Sequence, residues 1–258
     1  MNFKSDIFNV EYKEIDGDNY IHIINIEKID QKLKLFIDKN IVTICEGTSD
    51  TDCGSMKRQL IDFLDSKKGS NIETGAIAEF FIHLYLNDLG FKQEFLFLNL
   101  EEGSMKKGFD GYYSFKNEEW LLESKSGQVS SLNISHHSKI KEAYDDLSDK
   151  VSGKGKTNNP WRNAYNHADL KSVDCSDSIR KNIKKLSNEF KRGVFHGIED
   201  FNIMPGSTIF LEGAWVPIDA VELEKEIRKL ITRFKFKKIN IICINKKSVD
   251  LFLDYLSS

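Results

Sequence analysis

The chain has 258 residues, of which 40% are hydrophobic and 30% charged, and it carries a formal net charge of −3. This composition predicts a globular protein with one large domain, or one domain with a small N-terminal appendage, and no apolar run reaches the ~20 residues of a membrane-spanning helix. The first residues lack the apolar core of a secretory signal and the four cysteines show no CxxC spacing, so we expect a cytoplasmic protein with no membrane partner and no zinc site.

Residues 7–46 alternate short β-like runs with turn signals such as Asp16-Gly17-Asp18. A polar loop at Thr48–Cys53 follows, and Met56–Leu64 has helical spacing. Residues 1–65 carry 13 acidic residues against 8 lysines and arginines, a charge that would repel DNA. We therefore predict an N-terminal β-rich extension that docks a protein partner. Its predicted strands are Ile7–Tyr12, Tyr20–Ile26, Lys34–Ile37 and Ile41–Cys45.

The polar segment Ser66–Asn71 predicts a boundary between this extension, residues 1–68, and a second domain, residues 69–258. The second domain opens with a strong helical pattern from Glu73 to Leu89, with Gly90 positioned as its C-terminal stop. Strand and helix patterns then alternate, which predicts an α/β sandwich with a mixed central β-sheet flanked by helices. The predicted strands are Phe91–Leu98, Phe109–Phe115, Trp120–Lys125, Ser207–Leu211 and Ile239–Ile244, and the predicted helices lie in the stretch 138–192 and at Ala220–Phe234 and Val249–Leu256.

Two motifs in consecutive predicted strands carry chemistry, Gly108-Phe109-Asp110-Gly111 and Leu121-Leu122-Glu123-Ser124-Lys125. Side chains alternate along a strand, so Glu123 and Lys125 point to the same face. If the two strands pair, Asp110 joins them in a cluster of two carboxylates and one ammonium group. Such a cluster can hold Mg²⁺ and activate a water molecule against a phosphodiester. Taken singly, the motifs are also explained by an ordinary turn and a solvent-facing ion pair.

Glu79 is the fourth charged residue of interest, because it stands in the middle of an almost wholly apolar helix. A carboxylate in such a place must be paired, protonated or bound to metal, since leaving it bare in an apolar setting is costly. A cap or an ion pair with a neighbour such as Lys125 explains it as well as a functional role does.

Together, the helix glutamate, the strand aspartate and the strand Glu-x-Lys resemble the PD-(D/E)xK nuclease superfamily. Asp110 matches its strand acid, Glu123-Ser124-Lys125 matches its ExK, and Glu79 matches the acid that many members carry on the preceding helix. Phe109 replaces the proline of the family name.

The resemblance implies a restriction-endonuclease-like core that binds Mg²⁺, with Mn²⁺ as a substitute. Asp110 and Glu123 would hold the metal, with the Ser124 backbone carbonyl as a third ligand. Glu79 would hold a second metal or a metal-bound water. Lys125 would orient the attacking water and stabilise charge on the phosphate.

The motifs also resemble the HamA family, the nuclease effectors of the Hachiman antiphage defence system. That family places Gly-Ala-Ile-[Ala/Gly]-Glu on a helix, followed by Gly-Phe-Asp and Glu-x-Lys; the matching residues here are Gly75–Glu79, Gly108–Asp110 and Glu123–Lys125. This likeness implies a helicase partner, HamB-like, that restrains the nuclease until DNA damage or phage replication intermediates appear.

Two basic segments follow the motifs. Residues 150–192 carry 11 lysines and arginines against 4 acidic residues, and residues 225–247 carry 9 against 1. They predict a polyanion-binding face, although solvated helix faces explain such runs equally well. Trp161 and Tyr165, amid these basic residues, either stack on bases or dock the segment on the core.

Three further features, two histidine sites and one glycine-lysine segment, are explained without a functional role. His136-His137 is typical of surface histidines, and His83 of a core histidine. Gly155-Lys156-Thr157 lacks the first glycine of a phosphate-binding loop, because Lys150 stands there.

We therefore expect a Mg²⁺-dependent DNA endonuclease with little sequence specificity. A sequence-specific restriction endonuclease with the same site is one alternative. A nuclease-fold subunit that only binds a partner or nucleic acid is the other.

Overall fold

The computed structural model describes residues 3–97, 108–154 and 158–257. In these ranges the chain forms seven strands and eight α-helices. The strands are β1 (Asn9–Asp16), β2 (Asn19–Ile26), β3 (Lys92–Gln93), β4 (Gly111–Phe115), β5 (Glu118–Gln128), β6 (Asn202–Phe210) and β7 (Lys238–Lys246). The helices are α1 (Gln31–Glu46), α2 (Cys53–Asp65), α3 (Asn71–Asp88), α4 (His136–Ser152), α5 (Pro160–Ala168), α6 (Asp177–Lys191), α7 (Ala220–Ile231) and α8 (Asp250–Leu256).

The seven strands of the described ranges lie in one sheet, in the order β1-β2-β7-β6-β5-β4-β3. Strands β2, β7, β6 and β5 pair in parallel, while β1 at one edge and β4 and β3 at the other pair antiparallel. One face of the sheet packs against α1, α2, α3 and α8, and the other face packs against α4, α5, α6 and α7. The predicted α/β architecture with a mixed, helix-flanked central sheet is confirmed.

The N-terminal region differs from its prediction in one element. The strands predicted at Lys34–Ile37 and Ile41–Cys45 are wrong, since both segments belong to helix α1. The buried side chains Ile37, Ile41 and Ile44 follow one another at steps of four and three residues, which is the period of a helix that buries one face. Each segment alone was too short to show this period.

Strands β1 and β2 form a hairpin around the predicted turn at residues 16–18, as expected. Strand β2 also pairs in parallel with β7, so the N-terminal residues share one sheet with the C-terminal ones. The predicted boundary segment Ser66–Asn71 lies between the end of α2 and the first residue of α3.

The strand predicted at Phe91–Leu98 is mostly wrong: of this segment only Lys92 and Gln93 are in a strand, and Leu98 lies outside the described residues. The Glu94 N–H still donates to the Tyr112 carbonyl of β4 at 2.8 Å, but the Phe97 N–H donates to the Ile44 carbonyl of α1 at 3.1 Å. The phenyl rings of Phe91, Phe95 and Phe97 are buried in the two core clusters.

Helix α3 confirms the predicted helix and its stop. Gly90 has φ +82°, a conformation that glycine adopts without strain, and the Phe91 N–H donates to the Leu86 carbonyl as in a glycine-capped helix end. The other predicted strands and helices overlap β4 to β7, α2, α7 and α8. No helix in the described ranges has the length and apolar character needed to cross a membrane.

Candidate active site

The hairpin of β4 and β5 brings the two predicted motifs together. Gly111 pairs with Leu122 in this antiparallel pair, and the Asp110 N–H donates to the Leu122 carbonyl at 3.1 Å. Beyond this pair the Asp110 side chain reaches β5, since its Oδ2 accepts from the Ser124 N–H and its charge acts on Glu123. Asp110 therefore lies just before β4 rather than inside the strand predicted at 109–115.

A glycine is required beside Asp110. A Cβ atom on Gly111 would stand 2.6 Å from the Tyr113 ring and 3.0 Å from the Leu122 side chain. Both neighbours are buried, so a larger residue would push the hairpin apart. The glycine after the strand acid thus keeps β4 and β5 close enough for Asp110 to meet β5.

The Asp110 carboxylate is held on β5 by two hydrogen bonds to one residue. Its Oδ2 accepts from the Ser124 backbone N–H at 2.7 Å and from the Ser124 hydroxyl at 3.2 Å. Phe109, on the other side of Asp110, is buried with its ring centroid 4.8 Å from that of Trp161 of α5. Backbone pairing and packing therefore fix this acid in place.

Glu123 and Lys125 face helix α4. Leu121, which shares their face of β5, is buried in the cluster that contains the apolar side chains of α4. Lys125 Nζ lies 3.0 Å from Glu123 Oε1, so the predicted neighbours on one strand face are in contact. Glu123 is only 2% exposed, which makes it a buried acid.

Helix α4 adds two charged residues that the sequence analysis missed, Asp146 and Lys150. Asp146 Oδ2 pairs with Lys125 Nζ, and Lys150 Nζ pairs with Glu123 Oε2. The result is a continuous chain of four groups in which carboxylate and ammonium alternate, with the two inner groups on β5 and the two outer groups on α4.

A signal for these two residues existed in the sequence. The buried stripe of α4 includes Ala143, Leu147 and Val151, at helical spacing. Asp146 and Lys150 each precede a stripe residue and stand one turn apart, so both lie at the edge of the face that meets the sheet.

The network shifts the pKa values of both Glu123 and Lys125. Burial, and next the negative charge of Asp110, raise the pKa of Glu123 to about 7, against the opposing effect of Lys150 and Lys125. Burial acts to lower the pKa of Lys125, but the carboxylates of Glu123 and Asp146 outweigh it, and that pKa stays above its ordinary value. Lys125 is therefore a fixed cation at neutral pH, whereas Glu123 exchanges its proton near neutrality.

Glu79 has different surroundings. It lies on α3, which packs against the opposite face of the sheet from α4. His83 Nε2 is 3.1 Å from Glu79 Oε1, and His83 Nδ1 meets the Tyr113 hydroxyl. Burial, followed by the charges of Glu79 and Asp110, raises the pKa of Tyr113 well above its usual value, so both carboxylates act on one phenol. The role of Glu79 at a second metal stays a prediction.

Asp110 and Glu123 suit a divalent cation. Among the described residues no group of three or more His, Cys, Asp or Glu side chains is arranged to hold a metal. Mg²⁺, however, is commonly bound through one or two carboxylates, waters and substrate phosphates. The charge of Asp110 acts directly on Glu123, and a divalent cation bound by both would relieve that repulsion. The Ser124 carbonyl stays the predicted third ligand.

A cleft of about 860 Å³ opens beside this network, at the carboxyl end of β5. Ser124 and Lys125 line it, together with the first turn of α3 and the start of α8. Lys68 and Lys139 add positive charge, whereas acidic side chains from α3, α4, α8 and the segment after β6 add negative charge. A substrate in the cleft would reach Lys125 directly.

Two other predictions are settled by burial. His136 is 8% exposed and bonds to Ser207 Oγ at 2.9 Å and Asn245 Oδ1 at 3.0 Å, so its interpretation as a surface histidine is wrong. It anchors the start of α4 on β6 and β7.

Trp161 is 1% exposed and docks α5 on the core, which removes it as a base-stacking residue. Tyr165 is half-buried beneath Lys184, whose Nζ lies 3.9 Å from the ring centroid. The Gly155-Lys156-Thr157 segment lies outside the described residues.

No protein-family model matches this chain, and no curated protein matches it. The likeness to the PD-(D/E)xK superfamily and to the HamA family therefore rests on the motif residues alone.

Proposed function

We propose that this chain is a Mg²⁺-dependent DNA endonuclease that serves as an effector of bacterial antiphage defence. The observation that carries the proposal is the β4–β5 hairpin, which joins the Asp110 carboxylate to Ser124, the neighbour of Glu123, with Lys125 in contact with Glu123 on one strand face. Two acids and a lysine in one hairpin, with the lysine lining an open cleft, suit hydrolysis of a phosphodiester.

In this mechanism Asp110, Glu123 and the Ser124 carbonyl would hold the metal. Mg²⁺ bound there would supply Lewis-acid catalysis and activation of the attacking water. Lys125 stays charged at neutral pH because two carboxylates surround it, so it can orient the attacking water and stabilise the developing phosphate charge. Asp146 fixes the direction of the Lys125 ammonium, which is the positioning that such catalysis needs.

DNA is the proposed substrate because the basic segments lie after the motifs and present exposed lysines. Helix α6 alone exposes Lys181, Lys184, Lys185 and Lys191. Contacts of this kind neutralise phosphates without reading bases, so binding depends on salt and shows little sequence preference. A HamB-like helicase that restrains the enzyme, docked on the acidic N-terminal region, is part of the same proposal.

The test is cleavage of plasmid DNA in Mg²⁺, in Mn²⁺ and in EDTA, with the wild type, Glu123→Gln and Lys125→Met. We expect cleavage in either metal, none in EDTA, and losses of ~100-fold or more in both variants. Asp145→Asn is the matched control, since this exposed α4 carboxylate pairs with Lys141 outside both the network and the cleft. Metal-independent cleavage, or full activity in both variants, would contradict the proposal.

The same digest separates the two kinds of nuclease. A smear of products indicates the non-specific effector that we propose. Discrete fragments indicate a sequence-specific restriction endonuclease with the same site.

A non-catalytic binding subunit is the second candidate, and one observation favours it. Both oxygens of Glu123 are already held by lysines, so the acid is neutralised without a metal. Absence of cleavage together with absence of Mn²⁺ binding by the wild type would establish this candidate instead.

A further inference from the structure

Lys150 holds the oxygen of Glu123 that Lys125 leaves open. Lys125 Nζ bonds to Oε1, and Lys150 Nζ bonds to Oε2. The Lys150 side chain is only 17% exposed, so this amine lies between helix and sheet rather than in solvent. A metal ion that binds Glu123 through Oε2 would therefore have to displace the Lys150 ammonium group.

We propose that Lys150 is a built-in counter-cation that competes with the divalent metal for Glu123, so that metal binding displaces it from Oε2. The inference rests on the proposed metal-dependent function of the same site. While no metal is bound, Lys150 would balance the negative charge of Glu123 beside Asp110.

The physical reason is the cost of buried charge. Glu123 is almost wholly buried and lies beside Asp110, and two such carboxylates without a cation are strongly unfavourable. The two lysines offset that cost. A divalent cation held by the same two carboxylates supplies the compensation itself, and at contact distance it repels the Lys150 ammonium.

Lys150 also has an alternative position. It stands in the last turn of α4, which ends at Ser152 with Gly153 in the left-handed conformation. The carbonyl groups at a helix C-terminus favour a cation, so the flexible side chain can turn toward them when Glu123 is taken by metal. Lys125 has no such freedom, because Asp146 holds it as well.

The experiment is Mn²⁺ binding to the full chain, followed by the electron paramagnetic resonance signal of free Mn²⁺ at pH 8. The variants are Lys150→Gln, Lys150→Arg and the control Lys154→Gln, a lysine 77% exposed that pairs with Asp149. We expect Lys150→Gln to lower the Kd for Mn²⁺ by ~5-fold or more, since no ammonium must be displaced. Lys150→Arg, which keeps the charge, should bind no tighter than the wild type, and Lys154→Gln should stay within about twofold of it.

Glu123→Gln in the Lys150→Gln background should abolish the gain, because the competition is for that carboxylate. Thermal melting checks the fold, and Lys150→Met replaces Lys150→Gln if the latter unfolds. Mn²⁺ binding by folded Lys150→Gln or Lys150→Met that is equal to or weaker than that of the wild type overturns the inference while the nuclease proposal stands. Absence of Mn²⁺ binding by the wild type and all variants overturns both.

Discussion

Asp146 and Lys125 form an ion pair that joins helix α4 to strand β5 at the edge of the cleft. Lys125 therefore has two carboxylate partners, Glu123 on its own strand and Asp146 on the helix above it. Two partners fix the direction of a flexible side chain better than one does. The orientation of the Lys125 ammonium is thus set by a residue far away in the sequence.

Replacing Asp146 by asparagine is expected to slow cleavage by ~10-fold, because Lys125 loses one of the two charges that hold it. The loss should fall on kcat under single-turnover conditions, with little change in KM for DNA. Asp145→Asn is the control, since Asp145 pairs with Lys141 on the exposed side of the same helix. Equal rates for the two variants would show that Asp146 has no part in positioning.

The pH dependence of the cleavage rate should follow the ionisation of Glu123. Its pKa is raised to about 7, and a carboxylate must be deprotonated to hold metal. Cleavage at limiting Mg²⁺ should therefore fall by about tenfold per pH unit below pH 7 and level off above pH 8. Lys125 stays charged throughout this range because its pKa is raised. A flat rate between pH 6 and pH 8 would contradict this assignment.

The hairpin site could be predicted from the sequence because the residues that form it lie close together in the chain. Period-two alternation sets Glu123 and Lys125 on one face, and a short turn forces the two strands to pair. The strong helix of α3 was equally visible, because its apolar run and its terminal glycine lie in one window.

The partners from α4 were not accessible in the same way. Helix α4 follows β5 directly, but Asp146 and Lys150 lie 21 and 27 residues beyond their partners, and no local pattern shows which turn of the helix will pack beside Glu123 and Lys125. Likewise, α1 was mistaken for two strands because its buried face shows its period only over a full helix. His136 was misjudged for a related reason: its two partners come from β6 and β7, at sequence separations of 71 and 109 residues.

Lys246 gives a prediction about stability. It is fully buried, donates to the Ser248 carbonyl at 2.5 Å, and lies over the Phe81 ring at 5.0 Å from the centroid. Burial lowers its pKa to about 7. Between this value and the ordinary lysine pKa of 10.5, the unfolded chain binds more protons than the folded one, so stability from this group rises with pH.

The free energy of unfolding should therefore increase from pH 7 to pH 9 by an amount of the order of 2 kcal/mol more in the wild type than in Lys246→Met. Urea unfolding at both pH values measures the difference. Lys247→Met, at a neighbouring and more exposed position, is the control and should follow the wild type. The opposite sign, with the wild type losing stability relative to Lys246→Met, would refute the assignment.

The basic face of α6 is expected to contribute to DNA affinity. Lys181→Ala with Lys185→Ala should weaken DNA binding equally for unrelated sequences and reduce the slope of log K against log salt by ~2, because two phosphate contacts are lost. Fluorescence anisotropy across a salt series measures both quantities. Lys28→Ala with Lys39→Ala, two exposed lysines of the acidic N-terminal region, should leave the slope unchanged. An unchanged slope in the α6 variant would place DNA elsewhere.

A variant of Glu79 distinguishes the metal-binding role implied by the family resemblance from a structural role in holding His83. Its bond to His83, and the bond of His83 to Tyr113, tie α3 to β4 on the face away from Lys125. Glutamine keeps a hydrogen-bonding oxygen for His83, so we expect Glu79→Gln to retain cleavage within ~10-fold of the wild type, whereas Glu123→Gln loses ~100-fold or more. Glu79→Leu should lower the melting temperature as well, because it leaves the buried His83 nitrogen without that acceptor. If Glu79→Gln instead loses activity as completely as Glu123→Gln while its melting temperature is unchanged, Glu79 belongs to the metal site.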